Sequence, residues 1–212
     1  MTPKTRAQRG APAALRSRLY WLMAGWLLAP NDGQARTAMR EMAVLLDDEA
    51  GTGAALGALA AALDSVESTA LAVEHTRLFG GLSPSYGPPP PMESAQGGDG
   101  VATLLAVSGA YRDAGYADID PALPDDHLAV ELKFMALLAL QEHEAAQRGD
   151  EGGVRAAQRR QRHFLDRHLG AWLPHYAQSI ERESRVPALA TAIRLLDRVI
   201  ARDRALLADA EA

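Results

Sequence analysis

His127 and Glu131 stand four residues apart, so a helix containing both could place them on one face, within reach of a hydrogen bond or of a shared metal ion. They belong to the run Pro124-Asp125-Asp126-His127-Leu128-Ala129-Val130-Glu131-Leu132-Lys133-Phe134-Met135, in which acidic and imidazole side chains open an apolar helix. A metal centre has little else to draw on. The paired Glu-x-x-His sequences of a di-iron bundle are missing, as is His-Glu-x-x-His. The chain has no cysteine, which removes thiolate ligands, thiol nucleophiles and disulfides. His163, His168 and His175 lie among arginines and apolar residues without a ligand spacing, and read as surface or packing residues. Gly-x-Ser-x-Gly, a phosphate-cradling loop and a dinucleotide fingerprint are also absent, so hydrolase, NTPase and dehydrogenase chemistry lack their signatures. The expectation is a protein with no catalytic set, no metal and no cofactor.

What the residues suit instead is binding. Between Leu82 and Gly98 runs a loop with four consecutive prolines, Pro88 to Pro91. These hold the backbone extended and delete four N–H donors, giving a stiff segment that cannot join a sheet. Beside it, the acidic and imidazole side chains of Asp125, Asp126 and His127 stand at a helix start next to an apolar trough that Leu128 and Leu132 support. Polar anchors next to such a trough fit an amphipathic peptide. The structural alternative is that Asp126 caps the helix and His127 is a polar residue of its first turn. Met92 either plugs the core or meets the ligand. The arginines between Arg155 and Arg162 read as a solvated helix face, with contact to an acidic partner as the alternative.

The elements that must position these residues are helical. Hydrophobic residues make up 48% of the 212, yet aromatics only 5%, so alanine and leucine dominate and favour helix. No segment alternates with period two, and none repeats at fixed spacing. The expected fold is an all-α, irregular bundle of about seven to nine helices. A disordered basic tail over 1–12 would precede one domain over 13–212, with the first helix starting near Ala13. Leu104, Leu105, Ser108 and Tyr111 mark an inward stripe on the helix after the loop. A break is expected at Trp172-Leu173-Pro174, with Pro174 in the first turn of the next helix. The apolar run Tyr20 to Ala29 is too short to span a bilayer, so no stable membrane insertion is expected. A net charge of −5 argues against nucleic acid as a partner. The absence of a long heptad seam predicts a monomer or weak dimer.

Three segments together, Glu74-His75-Thr76-Arg77-Leu78-Phe79-Gly80, Pro90-Pro91-Met92-Glu93-Ser94 and the run from Pro124 to Met135, resemble the TorD/DmsD family of redox-enzyme maturation chaperones. The resemblance extends through Tyr111-Arg112-Asp113-Ala114-Gly115 and Phe164-Leu165-x-x-His168-Leu169-x-x-Trp172-Leu173-Pro174, whereas residues 1–65 match only in helical character. It implies a cytoplasmic, non-enzymatic protein that binds the twin-arginine signal peptide of a molybdopterin oxidoreductase subunit and withholds it from export until the cofactor is inserted. By the same resemblance the leader-binding residues are Pro90, Pro91, Met92, Glu93, Ser94, Pro124, Asp126 and His127. The sequence departs from the family where Met92 replaces an aromatic and Ala95-Gln96 replaces aromatic or basic residues; Tyr86 is placed to compensate. Features of the nitrate reductase branch are missing, which favours another molybdoenzyme as client. Two other readings remain open: a structural subunit that stays with an oxidoreductase complex, and a switch that binds guanine nucleotide.

Overall fold

The computed structural model describes residues 6–46, 51–81 and 86–209. Its helices are α1 (Arg6–Leu28), α2 (Gly33–Leu45), α3 (Thr52–Asp64), α4 (Ser68–Phe79), α5 (Gly100–Asp113), α6 (Leu128–Arg148), α7 (Glu151–Arg167), α8 (Leu169–Glu183) and α9 (Pro187–Asp209). A short 3-10 turn, Glu93–Gln96, follows the proline run. Among the described residues there is no strand, and the all-α bundle falls within the expected number of helices.

Local chemistry sets many of the boundaries. Asp32, Glu67, Asp99 and Asp150 each accept backbone N–H bonds in the first turn of the helix that follows, satisfying donors without intrahelical partners. Gly149 closes α6 at φ 72°, a left-handed conformation that suits a residue without Cβ. Pro187 takes the first position of α9, where its missing N–H costs nothing.

Three boundary or facing expectations are corrected. Helix α1 starts at Arg6 rather than Ala13, so residues 6–12 belong to it, while 1–5 lie outside the described residues. Gly10 and Pro12 lie inside this stretch, against their own propensities. The chain breaks at His168 (φ −124°, ψ −104°) instead of at Trp172 to Pro174. Gly170 makes that corner possible, because a Cβ there would lie 2.4 Å from the Leu165 carbonyl oxygen. Pro174 then sits in the second turn of α8 and forgoes a bond to Gly170. On α5 the inward residues are Val107 and Tyr111, whereas Leu104 and Leu105 are exposed. That helix packs chiefly on the 3-10 turn, so only a narrow face is covered.

Helix α6 is the central element. From Leu128 to Leu132 every residue is buried, as expected where neighbours surround a helix. Helix α1 packs along it and α7 flanks it, while α9 pairs with α8 and touches α3 and α7. The Phe134 ring sits 4.4 Å from that of Tyr111 and 4.8 Å from that of Phe164, joining α5, α6 and α7. A buried polar network of Arg16, Glu142, Gln161, Tyr20 and Asp203 fixes α1 against α6, α7 and α9. Among the described residues no single helix is long and apolar enough to cross a membrane; α3 and α4 pass that test only jointly, across a 115° bend.

Candidate functional site

The segment from Glu74 to Gly80 turns out to be scaffolding. Arg77 donates to both oxygens of Glu74, at 2.8 and 2.7 Å, and both side chains are 6% exposed. Arg77 also donates to the carbonyls of Glu183 (2.6 Å) and Tyr86 (3.4 Å), and Glu74 accepts the Arg185 backbone N–H at 2.7 Å. The pair thereby ties α4 to the α8–α9 corner and to the start of the proline run. Two glycines permit the loop's close approach. A Cβ on Gly87 would lie 2.1 Å from the Arg77 carbonyl oxygen, and one on Gly81 (φ +58°) would lie 2.6 Å from Pro90. His75 bonds the Leu27 carbonyl through Nε2 at 2.9 Å, and burial holds its pKa below the usual histidine value.

The prolines lack donors but keep their carbonyls, and these are used. Pro91 O accepts the Leu128 N–H at 2.8 Å, and Gln96 Nε2 donates to Pro90 O and Met92 O at 3.0 Å each. Glu93 N–H donates to Asp126 O at 3.0 Å, giving a bridge between Met92 and His127. The Asp126 carboxylate accepts the Ser94 N–H at 2.8 Å. The expected site residues are therefore brought together, the loop being pinned on the start of α6.

Their individual placements differ. Asp126, 1% exposed, pins the loop and does not cap the helix. The cap is His127, whose Nδ1 accepts the Ala129 N–H at 3.1 Å. Burial pushes the His127 pKa down, against the charges of Asp126 and Asp120, so the imidazole is neutral near pH 7. With Nδ1 accepting, the proton resides on Nε2, which leaves His127 a hydrogen-bond donor. Pro91 is buried; Pro90, Met92, Glu93, Ser94 and His127 are half-buried, and Pro124 is exposed. Pro91 and Asp126 thus support the surface that the others form.

Glu131 does not pair with His127. It is fully buried, its Oε2 accepts the Trp172 indole N–H at 3.2 Å, and its Oε1 has no partner. Burial raises its pKa well above the usual carboxylate value, and the charges of Glu93 and Asp126 add to the effect. Glu93 itself meets His168 Nδ1 at 3.0 Å, and His168 packs on Phe164 at 5.0 Å. Tyr111 donates to Asp125 O at 2.7 Å; burial, then Glu131, Asp125, Asp126 and Glu93, raise its pKa. Acidic groups therefore converge beneath the loop. Among the described residues no group of three or more side chains could hold a metal ion. By sequence reasoning Glu131 is weighed only as a partner for His127, and Tyr111 only as an inward residue of its helix. The spacing of His168 and Trp172, four apart, was the available signal for the α8 side.

The protein is thus an all-α bundle that carries a proline-rich loop on the start of its central helix. A family model for the nitrate reductase delta subunit matches residues 46–178, and the chain belongs to that TorD-like family. It is 41% identical over 85 residues to the selenate reductase assembly chaperone protein of Thauera selenatis, covering 40% of this chain and 42% of that protein. It is 38% identical over 86 residues to the chlorate reductase assembly chaperone protein of Ideonella dechloratans, covering 41% and 43%. The chain thus spans less than half the length of these relatives in the matched stretches.

Proposed function

We propose that this protein is a cytoplasmic, non-catalytic assembly chaperone for a molybdopterin-containing oxidoreductase, and that it binds the twin-arginine signal peptide of the catalytic subunit until the cofactor is in place. The observation that carries the reading is the loop 86–96, with the Glu93 carboxylate in it, fastened to the α6 N-terminus through Asp126. An acidic field favours the arginine pair, while exposed Tyr86 and half-buried Met92 offer apolar contact to the segment after it. Neutral His127 has an Nε2–H suited to a peptide carbonyl. The family membership and the names of the two relatives support the same reading.

Magnitudes decide which contact matters most. Burying about 300 Å² of apolar leader surface at about 25 cal/mol/Å² contributes about 7 kcal/mol before ordering costs. A charge-assisted hydrogen bond contributes about 1.5–3 kcal/mol. Apolar burial therefore dominates affinity, and the arginines set register and selectivity. The test is co-expression with a molybdopterin reductase subunit carrying its leader. The tagged protein is expected to retain the cofactor-free precursor and to lose it on maturation. Stable co-purification with the mature, cofactor-loaded enzyme would contradict the chaperone and point to a structural subunit.

A further inference from the structure

Helices α5 and α7 wall a groove of about 880 Å³ that the loop site does not use beyond Glu93 at its end. We propose that this groove docks an acidic amphipathic helix of a protein partner, a ligand opposite in charge to a twin-arginine leader. The α5 wall consists of Ala102, Ala106, Gly109 and Ala110, side chains small enough for a helix backbone to approach closely. A Cβ on Gly109 would meet nothing within 4 Å, so that wall is open. Phe134 and Phe164 contribute further apolar lining.

The opposite wall is basic. Arg159, Arg160, His163 and Arg167 recur at helical spacing along α7 and are exposed. Arg155 and Arg162 on the same helix pair with Glu151 (3.7 Å) and Asp166 (3.6 Å). Arg159, Arg160 and Arg167 have no carboxylate within ion-pair distance among the described residues. Two acids also line the groove: Glu93, engaged by His168, and Asp113 in the last turn of α5. Three unpaired guanidinium groups on one wall of a chain of net charge −5 select an anionic edge. Small apolar residues on the other wall select an apolar face. A helix with leucine and alanine on one face and glutamate beside it satisfies both. Helix α5 has 14 residues, so an occupant of about four turns spans it.

The experiment titrates the protein with a synthetic helical peptide of leucine, alanine and glutamate in that pattern, with its lysine-for-glutamate counterpart, and with tripolyphosphate. The acidic peptide is expected to bind at least tenfold more tightly than the lysine peptide. The combined variant Arg159→Gln/Arg160→Gln/Arg167→Gln is expected to weaken it at least tenfold, and so is Ala106→Phe. The affinity of a twin-arginine leader peptide should stay within twofold in both variants, which separates this groove from the loop site. The same acidic-peptide affinity in the arginine variant, no binding of that peptide, or parallel loss of leader affinity would each overturn the proposal. Tighter binding of tripolyphosphate, with displacement of the peptide, would replace it with a small-anion site.

Discussion

Replacing Arg77 by methionine is expected to destabilise the protein by about 3–5 kcal/mol, the range for removing one partner of a buried ion pair. Methionine fills similar space, so the loss comes from charge and hydrogen bonds more than from a cavity. Glu74, with 6% of its side chain exposed, would keep only the Arg185 N–H, and the carbonyls of Glu183 and Tyr86 would lose their donor. Changing both residues, Glu74→Met/Arg77→Met, removes the stranded carboxylate and should recover at least half of the loss. Urea unfolding measures both effects as shifts in midpoint at constant slope. A loss below about 1 kcal/mol in the single variant would mean that the pair behaves as a solvent-screened one.

Glu131→Gln is expected to act in the opposite direction and with a pH signature. The amide oxygen can still accept the Trp172 N–H, but no carboxylate remains to be desolvated. In the native protein the Glu131 pKa is raised by burial, then by the Glu93 charge, above its ordinary 4.5. Below about pH 4.5 both native and unfolded chains hold the proton. Above it the unfolded chain releases the proton while the native chain retains it, so stability falls as pH rises toward the native pKa. The glutamine variant lacks this decline. Its stability advantage should grow from near zero at pH 4 to a clear gain at pH 7, read from urea midpoints across that range. Parallel curves for the two proteins would show that Glu131 is ionised in the fold.

Most of the architecture was legible because it is local. Apolar spacing marked the helices, and acidic caps and glycines marked many of their ends. What escaped depends on tertiary contact. Tyr111 is buried as expected, but the burial of Val107 and the exposure of Leu104 and Leu105 follow from how little of α5 its neighbours cover, which periodicity on an alanine-rich helix does not reveal. The break at His168 depends on the Leu165 carbonyl closing on Gly170. Pro91, Asp126 and His127 lie side by side, but the cap is His127 and not Asp126, the residue that the structural alternative named. Either residue can cap a helix, and the decision went to His127 because the Asp126 carboxylate is held by Ser94, 32 positions earlier. Glu131 looked like a partner for His127 by spacing alone. A cap residue stands outside the helical repeat, so the two side chains do not meet.

The central claim is that the loop and the α6 start form one surface that reads a leader. Calorimetric titration of a synthetic twin-arginine leader peptide into the native protein and into Met92→Ala/His127→Asn tests it most directly. Asparagine is a good N-cap, so this variant keeps the helix start while removing the imidazole donor and the apolar tip. The account predicts one leader per chain and an affinity loss of about 1–3 kcal/mol in the variant, with its melting temperature near that of the native protein. Equal affinities for two equally folded proteins would contradict it.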